Sequence, residues 1–195
     1  MRKRLLFLFA VAMLASTSGA TTLARMNLEQ LGTAATVIVR ARCMGSFSDW
    51  EGGEIWTLTR FQTLERFKGA LPAGFTVRLI GGQVGGIESI VSEVPRFRPG
   101  EEVVLFLDPT NGGDYTVTAW VEGTFRVRRD GAGRAFVTEE SASQVVYDRA
   151  TRKFRVEGIR RMPLGQFRQR IQSVVKGNRP AGLPAPSAPA RKPRQ

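Results

Sequence analysis

Residues 98–108, Arg-Pro-Gly-Glu-Glu-Val-Val-Leu-Phe-Leu-Asp, contain the stretch that decides the fold. Pro99 and Gly100 favour a tight turn. The residues that follow, Val103 to Leu107, are apolar without interruption. A short continuous apolar run after a turn is typical of a strand that is covered on both faces. We therefore predict a fully buried strand here.

Upstream, residues 36–43 alternate between apolar and basic side chains, which is the period of a half-buried strand. Val37, Val39 and Ala41 share the apolar face with Cys43, the single cysteine of the chain. A lone cysteine in this phase packs as a small hydrophobe. We therefore expect Cys43 to be buried.

Further strands are predicted from apolar alternation and turn residues. Residues 46–53 are expected to form a polar loop, followed by a long β-rich run at 54–67. The phase of that run is mixed, which indicates either two covered faces or a bulge that switches sides. Other strands are expected at 75–80, 87–91, 115–121, 123–129 and 134–138, with a last hairpin at 144–147 and 153–156.

Two helices are predicted. Asn27 and Gln30 have the spacing of a capping box, so a short helix is expected to begin after Asn27 and to end at Gly32. Pro163 opens a longer helix that Gly177 ends. Its apolar stripe consists of Leu164, Phe167, Ile171 and Val174.

These elements predict a mainly β fold: a small OB-like barrel or sandwich with a short N-terminal helix and a C-terminal amphipathic helix. The segments IVRARC (38–43), EIWTLTRFQTLERFKG (54–69), FTVRLIGG (75–82) and FRPGEEVVLFL (97–107) support the barrel. Their order resembles exported bacterial proteins of uncharacterised function with a netrin-like, OB-type barrel. The resemblance covers about residues 27–107 and implies a fold, without assigning a role to any residue.

The N-terminus has the features of a secretory signal. A basic head, Arg2 to Arg4, precedes an apolar run at 5–15, and small residues end at Ala20. The run is shorter than the roughly 20 residues that cross a bilayer. We expect Sec-type cleavage after Ala20 and export to the periplasm or the medium. Residues 21–177 are then a single β-rich domain, and 178–195 a disordered basic tail rich in Pro and Ala.

Charge is distributed unevenly along the chain. Residues 21–151 contain 14 basic and 16 acidic residues, whereas residues 152–195 contain 12 basic residues and one acidic residue. The C-terminal segment therefore favours contact with an anionic envelope surface, although basic tails also serve solubility alone. The candidate contact residues are Arg152, Lys153, Arg155, Arg160, Arg161, Arg191, Lys192 and Arg194.

The composition argues against most catalytic chemistry. The chain has no histidine and one cysteine, which excludes Ser-His-Asp and Cys-His nucleophiles, the usual zinc sites and an internal disulfide. Residues 81–86, Gly-Gly-Gln-Val-Gly-Gly, lack the spacing of a phosphate-binding loop and favour a turn or bulge. Residues 108–114 fail the EF-hand pattern and favour a hairpin turn. No enzyme activity, cofactor or metal is expected.

Trp50 is the candidate contact residue of the predicted domain. An aromatic side chain in a polar loop marks a contact surface, and the alternative is a ring that folds back onto the barrel. The sequence thus predicts an exported, non-enzymatic binding domain for an envelope or secreted protein. The alternative is an accessory factor held at an anionic envelope surface by the basic C-terminal segment. Nucleic acid is not an expected ligand, because no aromatic residues interleave the tail.

Overall fold

The computed structural model of the chain describes residues 25–143, 145–148, 153–156 and 158–177. At 145–148 and 153–156 the backbone is described, so Lys153 and Arg155 are placed by strand position alone. The predicted signal (1–20), the predicted tail (178–195) and four candidate basic residues lie outside the described residues. Those four are Arg152, Arg191, Lys192 and Arg194.

The described part of the chain is mainly β, as predicted. Its helices are α1 (Leu28–Ala34) and α2 (Leu164–Gly177), with a short 3-10 helix at Glu140–Ser143. Its strands are β1 (Val37–Glu51), β2 (Glu54–Lys68), β3 (Gly74–Ile80), β4 (Gly82–Val84), β5 (Ile87–Ser89), β6 (Glu102–Pro109), β7 (Tyr115–Val117), β8 (Thr124–Arg129), β9 (Ala135–Glu139), β10 (Val145–Asp148), β11 (Lys153–Val156) and β12 (Met162–Pro163).

One large mixed sheet organises these strands. Its order is β1-β2-β3-β7-β6-β8-β9-β12, and β1 also pairs with β6. The β3–β7 pairing is parallel, whereas the other pairings in the sheet are antiparallel. Two separate hairpins, β4–β5 and β10–β11, complete the described strands.

Strand β6 is the centre of the sheet, which confirms the prediction from its apolar run. Every residue from Glu102 to Leu107 is buried. The strand pairs with β1 along one edge and with β7 and β8 along the other. Its odd-numbered side chains, such as Leu105, enter one core cluster, and its even-numbered side chains, such as Phe106, enter a second. The two clusters hold the fold together from opposite faces of the sheet.

Helix α1 has the predicted capping box, but it ends later than predicted. Asn27 Oδ1 accepts from the Gln30 backbone, and Gln30 Oε1 accepts from the Asn27 backbone, both at 2.8 Å. The helix continues past Gly32 to Ala34. A Cβ at Gly32 would lie 2.3 Å from Val174 Cγ1. This glycine therefore allows α2 to approach closely and does not terminate α1.

Helix α2 confirms the predicted apolar stripe. Leu164, Phe167 and Ile171 are buried, and the Phe167 ring lies 5.0 Å from that of Phe125 on β8. On the flank of the helix, Arg168 Nη2 donates to Glu65 Oε2 of β2 at 2.7 Å. The helix thus closes the second core cluster over the sheet.

Two sequence predictions about loops and strands are wrong. Residues 46–51 belong to β1, because the ladder with β2 continues to the Glu51–Glu54 pair and the turn shrinks to Gly52 and Gly53. Conversely, β7 ends at Val117, because Ala119 and Trp120 adopt left-handed φ angles of 52° and 48°. Trp120, which lies in the segment predicted as a strand, is instead 39% exposed in a turn.

The mixed phase of β2 has its origin in the β1–β2 ladder. The register shifts at three places, and two of these shifts leave an extra residue on β2, Leu64 and Phe67. Ile55 and Phe61 point into the protein, while Trp56 and Leu58 occupy the outer, half-buried positions. A bulge in the ladder, one of the two alternatives that the sequence left open, is therefore present.

Candidate functional site

The end of the β1–β2 hairpin exposes apolar side chains that a folded monomer normally covers. Trp50 is 47% exposed and Phe47 is 51% exposed, each within a ladder of regular hydrogen bonds. Met44, beside the register shift, is 58% exposed. Trp50 therefore stands at the end of a strand and not in the polar loop predicted for it. Its backbone is held by pairing with Ile55, which fixes where the ring is presented.

An arginine and a glutamate stiffen the outer face of this hairpin. The Arg78 guanidinium lies 4.3 Å from the centroid of the Trp56 ring, a cation–π distance. Arg78 Nη1 also lies 2.7 Å from Glu51 Oε2, and this hydrogen bond raises the pKa of Arg78. Trp56 is thus half-buried under a cation.

The β4–β5 hairpin packs against the same end of β1. A Cβ at Gly82 would lie 2.3 Å from Ser48 Oγ and 2.4 Å from Thr57 Oγ1. Glycine at this position therefore permits close approach of the backbone within β4, and the turn predicted in residues 81–86 is confined to Gly85 and Gly86. This hairpin and its exit add two more exposed apolar residues, Ile87 and Ile90, which are 57% and 75% exposed.

A small cleft lies between the two hairpins, with a cavity volume of about 210 Å3. Its polar lining consists of Gln83, Arg96 and four hydroxyl residues, Ser46, Ser48, Thr57 and Thr59. Ser46 pairs with Thr59 at 2.8 Å and Ser48 with Thr57 at 2.9 Å, and Thr57 donates to the Gly81 carbonyl at 2.6 Å. Because these hydroxyls bond to one another and no carboxylate or thiol lines the described cleft, none of them is activated as a nucleophile.

Cys43 takes no part in this surface. Its side chain is 1% exposed, which confirms the predicted burial. Burial raises the pKa of its thiol, with a smaller contribution from the nearby charge of Glu101. A reactive cysteine needs an exposed site and a lowered pKa, so this thiol is suited to packing.

Of the candidate basic residues, two have described side chains. Arg161 lies over the Phe136 ring at 4.1 Å from its centroid and 3.7 Å from Asp130 Oδ2. Arg160 is exposed and lines a depression together with Arg126 and Arg128 of β8. The two neighbours therefore face different surroundings, and Arg160 is the one that stands beside other arginines.

The sequence missed most of the apolar surface. Phe47 lies in the segment predicted to be a polar loop, and Met44, Ile87 and Ile90 carried no signal of exposure. Alternation around Ser46 and Ser48 was the available clue to a strand, but five glycine and acidic residues at 49–54 concealed it.

Comparison with known proteins assigns no family to this chain: a scan against protein-family models finds no match, and a search of curated proteins finds no similar sequence. The roles of its side chains therefore rest on their own chemistry and geometry. Neither α-helix in the described part of the chain has the length and apolar character needed to cross a bilayer.

Proposed function

We propose that this chain is an exported, non-enzymatic binding domain that holds a protein partner at the end formed by the β1–β2 and β4–β5 hairpins. The observation that carries the proposal is that large apolar side chains are exposed on two hairpins that contact each other. Met44, Phe47, Trp50, Ile87 and Ile90 all lie on or directly after these two hairpins, with Phe47 and Trp50 on opposite faces of β1. Apolar patches exposed on a soluble protein are typical of protein-binding sites.

The composition of this surface fits a protein partner. Aromatic and methionine side chains are enriched at interfaces, and tryptophan is prominent among the residues that contribute most to affinity. The hydroxyl-lined cleft beside Trp50 holds the volume of roughly seven waters at about 30 Å3 each, which suits one side chain of a partner. The stiff hairpin lowers the entropy cost of binding.

An OB-type barrel and export are part of the same proposal. The pairings lead from β1 through β2, β3, β7 and β6 back to β1, with β3 and β7 parallel, and this cycle supports a five-stranded barrel. In OB-type barrels the loop between the first two strands is a common binding element, and here that position is the exposed hairpin end. The basic head and apolar run of residues 1–20 support export.

A site-specific photocrosslinker tests the proposal. One variant places p-benzoylphenylalanine at Trp50, and the matched control places it at Trp120, which is also exposed but lies in a separate turn. We expect envelope extract to give a discrete crosslinked protein from position 50 and not from position 120. Trp50→Ala should then weaken binding of that protein by about 30-fold or more, the effect of losing about 2 kcal/mol at a central interface residue.

Salt separates this function from the alternative. Capture that survives washing at high salt and depends on Trp50 supports the hairpin surface. Capture that disappears above about 0.15 M salt, or with removal of residues 178–195, contradicts it and supports charge attraction by the basic C-terminal segment.

A further inference from the structure

A second surface of the molecule is rich in arginine. It is a depression with a cavity volume of about 540 Å3, located where β6 begins and β8 ends. Its charged lining consists of Arg42, Arg98, Arg126, Arg128, Arg129, Glu101 and Glu102. We name it the arginine depression. None of these residues belongs to the hairpin surface described above.

The two glutamates of the arginine depression are already engaged. Glu101 pairs with Arg126, which Glu140 binds from its other side. Burial lowers the pKa of Arg126, but its hydrogen bond to Glu140 and the carboxylate charges outweigh this effect, so the net shift is upward. Glu102, buried beneath the depression, pairs with Arg40 and with Arg129 Nη1, the latter at 3.2 Å.

The other three arginines, Arg42, Arg98 and Arg128, are exposed, and their guanidinium groups have no hydrogen-bond or ion-pair partner in the described part of the chain. Arg42 and Val127 both lie opposite Glu102 in their ladders with β6, so Arg128, the residue after Val127, projects from the other face of the sheet than Arg42. The Gly100 backbone donates to the Cys43 carbonyl at 2.8 Å, which ties the turn after Arg98 to β1. Arg42, Arg98 and Arg128 therefore line one depression from the two sides of the sheet edge where β6 begins.

The charge balance indicates the ligand. Five guanidinium groups against two carboxylates leave an excess of three positive charges in the lining. Each guanidinium offers a planar fork of N–H donors that matches phosphate or carboxylate oxygens. A single carboxylate neutralises one charge, whereas a phosphomonoester or diphosphate brings two or more in a compact group.

We propose that the arginine depression binds a compact, multiply charged phosphate group through Arg42, Arg98 and Arg128. The adjoining depression, which shares Arg126 and Arg128 and adds Arg160, extends the same cationic surface. Of the anion-contact residues that the sequence predicted in the basic C-terminal segment, Arg160 lies at the edge of this surface. This proposal is independent of the proposed protein partner.

Titration of the full chain with inorganic pyrophosphate at low salt tests the site. The variant R42Q/R98Q/R128Q removes the three unpartnered guanidinium groups, and R60Q/R134Q/R170Q removes the same charge from exposed positions elsewhere. We expect the first variant to lose about tenfold or more in affinity and the second to change less than about threefold, because direct phosphate contacts contribute more than net charge. Matching thermal unfolding curves would establish that both variants are folded.

Equal losses in the two variants, or absence of pyrophosphate binding by the unmodified chain, would overturn the proposal. A second arm identifies the source of the phosphate by flotation with vesicles that contain phosphatidic acid. Flotation that falls selectively in R42Q/R98Q/R128Q, together with the pyrophosphate result, assigns the site to a lipid headgroup. Flotation that is unchanged, together with selective loss of pyrophosphate binding, assigns it to a soluble phosphate ester.

Discussion

The two halves of the β1–β2 hairpin differ in how far the apolar side chains of β1 are exposed to solvent. In the proximal half, Val37–Cys43 and the facing end of β2, β1 is paired on both edges, since its ladder with β6 runs from Val37 to Arg42. Ile38 and Val39 are both fully buried there, on opposite faces. In the distal half, from Met44 to Glu51, the ladder with β6 has ended, and the apolar side chains of Met44, Phe47 and Trp50 are exposed.

This contrast teaches that strand pairing and apolar character alone do not decide burial. The proximal half is covered because α1 and α2 close one face and the strands around β6 close the other. In the distal half, Met44, Phe47 and Trp50 of β1 lie outside these layers, whereas Ile55 and Thr59 on the paired part of β2 stay buried. Apolar side chains therefore stabilise the protein in one half, whereas in the other they are available for a partner.

The largest effect should come from truncating a phenylalanine in each half. Phe61 is 2% exposed and its ring lies 5.5 Å from that of Phe75 and 5.1 Å from that of Phe97. Phe61→Ala should lower the free energy of unfolding by about 3–5 kcal/mol through lost burial and a cavity. Phe47→Ala should change it by less than about 0.5 kcal/mol. Urea unfolding of both variants measures this, and similar losses would contradict the division.

The two halves should also differ in the rate at which a thiol reagent labels a cysteine. Native Cys43 should react with a thiol reagent at least about 100-fold more slowly than the unfolded chain, because labelling requires an opening of the core and a thiolate. In the Cys43→Ser background, a cysteine introduced by F47C should react within about tenfold of the unfolded rate. Rapid labelling of native Cys43 would show that the proximal half opens as readily as the distal half.

The same thiol predicts a direction for stability against pH. Its pKa is raised in the folded protein by burial. The stability contributed by the neutral thiol is therefore complete below the ordinary thiol pKa and declines as the pH rises from that value through the raised one. Cys43→Ser should remove this decline from the unfolding free energy, and a decline that persists in the variant would have to come from other groups.

The smallest effect concerns the ion pair of the distal half. Glu51 is 62% exposed in its side chain, and exposed pairs contribute about 0–1 kcal/mol. Arg78→Met should therefore lower the free energy of unfolding by less than about 1 kcal/mol, including the loss of the cation–π contact with Trp56. Thermal unfolding at low and high salt measures it, with Arg60→Met as the exposed control on the neighbouring strand. A loss above about 2 kcal/mol would show that the distal half depends on this pair.

Sequence patterns anticipated the fold best where the cause is local. The capping box at Asn27, the stripe of α2 and the buried run of β6 each depend on neighbours within a few residues. They failed where a distant segment decides. Gly32 was predicted to end α1, but it instead makes room for Val174 of α2. Residues 115–121 were predicted as one strand, but Ala119 and Trp120 turn the chain there.

The candidate surfaces were anticipated less completely. Trp50 was identified as a contact residue, but its neighbours Phe47 and Ile87 were not, because exposure depends on which faces the rest of the fold covers. Arg160 was identified by its charged segment, whereas Arg42 and Arg98 stood in segments whose net charge gave no reason to select them.

The sequence by itself determined the mainly β class, the inward phase of Cys43, the two helices and the absence of histidine chemistry, because side-chain period and composition are properties of the chain alone. The tertiary structure alone decided that Phe47 and Trp50 of this hairpin stay exposed while Ile55, the partner of Trp50, is buried. It also decided that Arg42, Arg98 and Arg128 meet around one depression. Both features arise from pairing between strands that are far apart in the chain, a relation that no local pattern of residues encodes.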